Sequence, residues 1–164
     1  MTRTIAILCA LALCACAPAP TLQPEVTRRA PLPDLYPGET PEIRAMIDKW
    51  AGIHGIPSSL LHRVIQRESD YRPGARNGPY WGMMQILPQT ARQMGFDGHP
   101  SALLDPEVTL EYAGRYLRGA WLVSGGDEHE AMMWYAKGYY YEARNRCMLR
   151  ETGLRETEVR KHCG

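Results

Sequence analysis

The amino-acid sequence predicts a mainly α domain behind a leader and a tether, and three observations carry that prediction. From Thr40 onward, apolar residues recur at the three- and four-residue steps of amphipathic helices. The stretches open on capping residues or Pro and close on Gly. No convincing run alternates apolar and polar residues as a half-buried strand would, and only the loop from Ala75 to Trp81 leaves room for a short β element.

At the N-terminus, Arg3 precedes an apolar run from Ile5 to Ala15. That run is far shorter than the roughly 20 residues that span a bilayer, so residues 1–15 read as a signal peptide. It ends in Leu13-Cys14-Ala15-Cys16, which is similar to a bacterial lipobox of the form Leu-x-small-Cys, where the Cys becomes the lipidated first residue. Cys16 fits best, with Leu13 and Ala15 at the right offsets. Cys14 is the weaker candidate, and a plain secretory cut near Ala17 or Ala19 is the alternative. Lipidation at Cys16 implies a periplasmic protein anchored to a membrane. The outer membrane is favoured because Ala17 is not an Asp retention signal. Residues 16–40 then form a Pro-rich tether: Pro18, Pro20, Pro24, Pro31, Pro33 and Pro37 exclude a helix or a central strand and favour extended chain.

Residues 41–164 form the folded domain. Thr40-Pro41-Glu42 offers an N-cap, Pro at the first helical position and an acid in the first turn. Ile43, Met46, Ile47, Trp50 and Ile53 are the expected core face of this helix, and Gly55 is its stop. A second helix begins near Pro57-Ser58 and carries Leu60, Leu61, Val64 and Ile65 on one stripe, which Glu68 continues. Pro88 to Met94 is a short helix closed by Gly95, and Asp105-Pro106-Glu107 opens a longer one to about Val123. Asp127, with Glu130 at the capping-box offset, opens the next. Tyr139 to Arg150 reads as helical, and Leu154 to His162 as a final short helix.

Composition excludes some classes of function. The 19 basic and 18 acidic residues give a formal charge of +1, which supplies no basic footprint for nucleic acid. His129-Glu130 lacks the second His of a zinc-protease helix, and the cysteines form no Cys-x-x-Cys pair. There is no phosphate-binding loop ending in Gly-Lys-Ser/Thr, so neither a metal nor a cofactor is expected. In an oxidising compartment, Cys147 and Cys163 are candidates for one disulfide, closing a loop of about 15 residues worth about 3 kcal/mol; the alternative is two free thiols.

Glu68 carries the chemistry. A carboxyl group on the apolar face of a helix end is costly to ionise, so it stays protonated toward neutral pH, as a general acid must. Its surroundings sharpen that reading. Glu68-Ser69-Asp70-Tyr71-Arg72-Pro73-Gly74-Ala75 and Trp81-Gly82-Met83-Met84-Gln85-Ile86-Leu87-Pro88-Gln89-Thr90-Ala91 stand upstream. Leu104-Asp105-Pro106, Ala113-Gly114-Arg115-Tyr116-Leu117 and Ala131-Met132-Met133-Trp134-Tyr135-Ala136-Lys137-Gly138 follow. In this order, over about residues 43–140, they resemble the lytic transglycosylase domain of the goose-lysozyme-like superfamily. The chain departs from that pattern in a loop one residue shorter between Glu68 and Gly82. It departs again at Asn77, in place of the usual Ser, and at Ala136 and Lys137, in place of Asn and a small residue.

The resemblance implies a lysozyme-like α-helical fold acting on peptidoglycan glycan strands. It implies that Glu68 is acid and then base, that Gln85 is a polar contact to the glycan and that the Tyr135 hydroxyl orients Glu68. It places Asn77 near the catalytic acid as a hydrogen-bond donor. Ser69 is either a further substrate contact or a local helix-end hydrogen bond. Tyr71 and Trp81 are either sugar-stacking or core residues, and Met83, Met84 and Ile86 are packing residues. The implied reaction cleaves the β-1,4 bond between N-acetylmuramic acid and N-acetylglucosamine and leaves a 1,6-anhydro end. A hydrolytic muramidase and a non-catalytic wall-binding lipoprotein are the alternatives. No second carboxylate stands out: Asp70 points about 200° away on the helix, and Asp105 is explained as a cap.

Overall fold

The structure, a computed structural model, describes residues 34–163. The expected signal peptide, the expected lipidation site at Cys16 and the expected tether up to residue 33 lie outside the described residues. Six α-helices, one small hairpin and two short 3-10 turns follow in the order α1 (Pro41–His54), α2 (Ser58–Glu68), β1 (Arg76–Asn77), β2 (Tyr80–Trp81), α3 (Pro88–Gln93), a turn at Pro100–Leu104, α4 (Pro106–Val123), α5 (Glu128–Lys137), α6 (Tyr140–Asn145) and a turn at Lys161–Cys163. The domain is therefore mainly α, with a two-stranded antiparallel sheet as its β content.

Local chemistry accounts for the helix ends. Thr40 accepts from the Ile43 amide, and Gly55, in the left-handed region at φ 64°, closes α1. Asp105 accepts from the Glu107 and Val108 amides to open α4, and Asp127 accepts from the Glu130 amide to open α5. Each such cap satisfies amides that the first helical turn leaves without partners.

Helix α4 is the spine, packing against α1, α3 and α5. Its buried face carries Leu110, Ala113, Gly114, Leu117, Gly119, Ala120 and Val123. The small residues set the approach: the His54 ring lies over Gly114, and the Tyr139 hydroxyl lies over Gly119. Both rings are anchored, with His54 Nε2 bonded to the Leu110 carbonyl at 2.9 Å and Tyr139 Oη donating to the Tyr116 carbonyl at 2.8 Å.

Four sequence expectations are corrected. Ile53 is 60% exposed, because it falls at the edge of the α1 stripe where no element covers it. Helix α6 ends at Asn145 rather than Arg150, where Cys147 turns left-handed at φ 59°. The segment from Leu154 to His162 forms no helix and ends in the 3-10 turn at Lys161–Cys163. Here Cys147 and Cys163 form a disulfide with Cα atoms 5.3 Å apart. Finally, the end of the tether belongs to the folded domain. Glu39 is buried, accepting from the Tyr36 amide at 2.9 Å and from Arg44 Nε at 2.5 Å, with His62 Nδ1 3.6 Å away. Among the described residues, no helix is long and apolar enough to cross a membrane.

Candidate active site

Helix α2 delivers Glu68. Leu60, Leu61, Val64 and Ile65 are fully buried, and Glu68 stands four residues after Val64, so it leaves the core on the same side. As the last residue of α2 it keeps 23% of its side chain exposed, at the mouth of a cavity rather than in bulk solvent.

The chain then turns sharply. Asp70 and Tyr71 adopt positive φ, and Tyr71 folds back into the core, where its hydroxyl lies 2.8 Å from His62 Nδ1. This settles Tyr71 as a core residue, 2% exposed. The hairpin follows, with Asn77 opposite Tyr80 and Arg76 opposite Trp81; Gly78, at φ 57°, and Pro79 make its two-residue turn. The Arg76 guanidinium lies 3.8 Å from the centre of the half-buried Trp81 ring.

The loop from Gly82 to Ile86 forms the floor. Gly82, at φ 74°, packs so closely on the Leu103 carbonyl and the Thr109 hydroxyl that a Cβ would overlap both. Trp81 and Ile86 exchange two backbone bonds of 3.0 Å across the loop, and Met83 and Met84 are fully buried beneath it.

These elements enclose a cavity of about 340 Å³ lined by Arg67, Glu68, Asn77, Tyr80, Gln85, Tyr135 and Ala136. Glu68 is the one carboxylate among its described lining residues. Burial raises its pKa, and Arg67, whose Nε lies 3.8 Å from Oε1, opposes that rise more weakly. Burial, followed by the nearby Glu68 charge, drives the Tyr135 hydroxyl well above its ordinary value, so Tyr135 stays neutral. A carboxyl that burial makes harder to ionise, facing a partly desolvated pocket, is suited to act as a proton donor.

The structure brings Glu68, Asn77, Gln85 and Tyr135 together around this cavity and fixes the hydrogen bonds of Ser69, Tyr135 and Gln85. Ser69 is 2% exposed; its hydroxyl donates to the Met83 carbonyl at 2.7 Å and accepts from the Arg72 amide at 3.2 Å. It thus makes a local helix-end bond and ties the end of α2 to the floor loop. The Tyr135 hydroxyl donates to the Met84 carbonyl at 2.8 Å, so its hydrogen is not aimed at Glu68. Gln85 gives its amide hydrogens to the carbonyls of Gly82 (2.7 Å) and Ala75 (3.1 Å), which leaves its Oε1 as the atom available to a ligand.

Sequence reasoning did not single out Tyr80 or Arg67, both of which line the cavity. Tyr80 is 43% exposed and lines both this cavity and the next. Its signal was an aromatic placed directly after the Gly78-Pro79 turn. Arg67 reaches the site because a long side chain can bend around a helix end.

Comparison with known proteins supplies the remaining findings. The sequence model of the family described as Transglycosylase SLT domain matches residues 45–151. The chain is 32% identical over 111 residues to the peptidoglycan transglycosylase gp16 of Escherichia phage T7, covering 64% of this chain and 8% of that protein. It is 35% identical over 80 residues to membrane-bound lytic murein transglycosylase C of Histophilus somni (strain 2336), covering 44% of this chain and 22% of that protein. The chain thus spans less than a quarter of the length of these curated relatives.

Proposed function

The chain belongs to the Transglycosylase SLT domain family, and on that premise we propose that it cleaves the β-1,4 bond between N-acetylmuramic acid and N-acetylglucosamine in peptidoglycan, leaving a 1,6-anhydromuramoyl end. The observation that carries this reading is the isolation of Glu68. Among the described residues it is the one carboxylate lining the cavity, held on an apolar helix face with its pKa raised by burial. Most glycosidases use a pair of carboxylates, whereas a single acid fits a reaction in which the substrate supplies the second group.

Protonated Glu68 donates its hydrogen to the glycosidic oxygen as the bond to the muramoyl C1 breaks, and the sugar's acetamido oxygen stabilises the electron-poor carbon. The resulting carboxylate then takes the proton from the muramoyl C6 hydroxyl, whose oxygen closes on C1. One group performs both transfers, and no water is consumed. Gln85 Oε1 and the exposed Asn77 amide are the polar atoms placed to orient the sugars, and Tyr80 is an aromatic face for one of them.

The test is mass spectrometry of purified peptidoglycan digested by the wild type and by Glu68→Gln. Anhydro ends, one water lighter than reducing ends, are expected from the wild type and not from the variant. Reducing ends from the wild type would make the enzyme a hydrolase. Full activity in Glu68→Gln would remove Glu68 from the chemistry.

Cys16 as the site of a lipid anchor belongs to the same proposal, with a cell-envelope location. It is supported by the Leu13-Cys14-Ala15-Cys16 sequence and by a relative named as membrane-bound. Labelled palmitate entering the wild type but not Cys16→Ala is the expected result; equal labelling of both sinks it.

A further inference from the structure

The cavity at Glu68 does not end there. A second hollow of about 250 Å³ shares Tyr80, Gln85, Tyr135 and Ala136 with it, and a third of about 500 Å³ shares Tyr116, Lys137 and Gly138 with the second. The three form one groove, from the catalytic carboxyl at one end to a chamber between the end of α5 and the C-terminal loop at the other.

That far chamber differs chemically from the Glu68 end. Two cations, Lys137 and Arg155, line it, and no acidic residue is among its described lining residues. Several cations elsewhere are matched to acids, Lys49 with Glu107, Arg63 with Glu128, Arg115 with Glu111 and Arg146 with Glu142, while Arg118 meets a carbonyl and Arg144 a ring. Lys137 and Arg155 form no ion pair among the described residues. Lys137 Nζ lies 3.9 Å from the centre of the Trp134 ring, and Arg155 Nε donates to the Tyr140 hydroxyl at 3.2 Å. Ring and phenol contacts hold the two side chains in place without neutralising them. Pre-positioned, uncompensated cations in a concave site favour an anion there.

We propose that this chamber is a subsite for a carboxylate carried by the peptide of peptidoglycan, gripped by Lys137 and Arg155. The inference rests on the reading that the groove binds peptidoglycan. In that polymer the anionic groups hang from the lactyl arm of N-acetylmuramic acid, first the lactyl carboxyl and, when that is amidated by a peptide, the peptide's own carboxylates. The groove extends away from Glu68 by two further hollows, a reach that suits a peptide branch better than the short lactyl arm. The tyrosines of the chamber, Tyr116, Tyr139 and Tyr140, supply apolar walls for the aliphatic part of such a peptide. Arg155 lies inside the loop closed by the Cys147–Cys163 disulfide, which holds that wall against the domain.

The experiment compares three substrates: peptide-bearing glycan, the same glycan with its peptide carboxylates capped as amides, and glycan stripped of peptides so that only lactyl carboxylates remain. The measured quantity is the ratio of kcat/KM on native to capped substrate, for the wild type and for the Lys137→Met/Arg155→Gln double variant. Because the ratio is taken within one enzyme, a partly unfolded variant does not distort it. The wild type is expected to prefer native over capped substrate about tenfold, the scale of a charge-assisted contact, and the double variant less than about twofold. Equal rates of the wild type on native and capped glycan overturn the subsite. Retention of the preference by the double variant assigns it to other residues and overturns it equally. A wild type that cleaves stripped and native glycan alike, with the variant losing both, assigns the cations to the lactyl carboxylate and overturns the peptide assignment. A wild type that releases no fragments from any of the three overturns the underlying peptidoglycan reading, a result distinct from all the others.

Discussion

The Ser69 hydroxyl donates a 2.7 Å hydrogen bond to the backbone carbonyl of Met83, joining the end of the helix that carries Glu68 to the loop that carries Gln85. The next carbonyl in that loop, Met84, is held from the other side by the Tyr135 hydroxyl at 2.8 Å. Two adjacent carbonyls are thus pinned from α2 and α5. The distances among Glu68, Gln85 and Tyr135 are set by these buried bonds rather than by the flexible side chains themselves.

Ser69→Ala and Tyr135→Phe each leave a buried carbonyl without its partner, at a cost of about 1–3 kcal/mol. Urea denaturation should show both losses. Because the Tyr135 hydroxyl is bonded to Met84 and not to Glu68, Tyr135→Phe should retain measurable wall-lysing activity where Glu68→Gln has none. Equal loss in the two variants would give the Tyr135 hydroxyl a part in the chemistry.

Glu68→Gln should abolish cleavage while making the protein more resistant to heat above pH 5. The sign follows from the raised pKa. Between the unfolded value near 4.5 and the higher folded value, the folded state binds more of the proton, so stability falls as pH rises through that window. Gln cannot ionise and escapes that penalty. Melting temperatures of both proteins at pH 4 and pH 7 check this: the gap should widen at pH 7.

Acid should destabilise the fold through its two buried histidines. Burial, the main cause, depresses the pKa of both His54 and His62 below the ordinary 6.5. Arg115 and Arg118 push His54 further down, while the Leu110 carbonyl and Glu111 oppose; for His62, Glu39 opposes and Arg44 adds. Below about pH 6.5 the unfolded chain therefore takes up more protons than the folded one. Their contribution is fully present above that pH and is lost as pH falls toward the depressed folded values. The denaturation midpoint should drop between pH 7 and pH 5, and His54→Phe should reduce the drop. An unchanged drop in that variant would remove His54 as a cause.

Gly82→Ala should cost about 3 kcal/mol or more. The substitution meets a left-handed backbone at φ 74° and an overlap with the Leu103 carbonyl, neither of which a side-chain rotation can relieve. Loss of cooperative unfolding or of soluble protein at 37 °C is the expected measurement. A stable variant would mean that the floor loop can shift.

Cys163→Ser should lower stability by about 3 kcal/mol, the chain-entropy value for a loop of this size. The Cys147 thiol it frees should react with a maleimide probe under native conditions, because the residue is only partly buried. Unaltered unfolding in the presence and absence of reductant would show that the bridge contributes nothing.

Much of this was legible in the sequence because the rules that place helices act over about four residues. Thr40, Asp105 and Asp127 cap helices wherever a following amide needs an acceptor, and Gly55 ends one because it alone enters the left-handed region freely. The position of Glu68 on an apolar stripe is equally local, since it needs only the 3.6-residue period. Failures came where an element's fate depended on what lay across from it: Ile53 fits the helical stripe but finds no neighbour.

By itself, then, the sequence determined a mainly α domain, the helix that carries the acid and the family whose motifs surround it. Only the tertiary structure decided that Ser69 is a brace, that Tyr135 spends its hydrogen on Met84, that Glu39 is buried and that Lys137 and Arg155 share a chamber. The reason is separation along the chain. Ser69 and Met83 are 14 residues apart, and Tyr135 and Met84 are 51, so each could have chosen many acceptors until packing left one within reach.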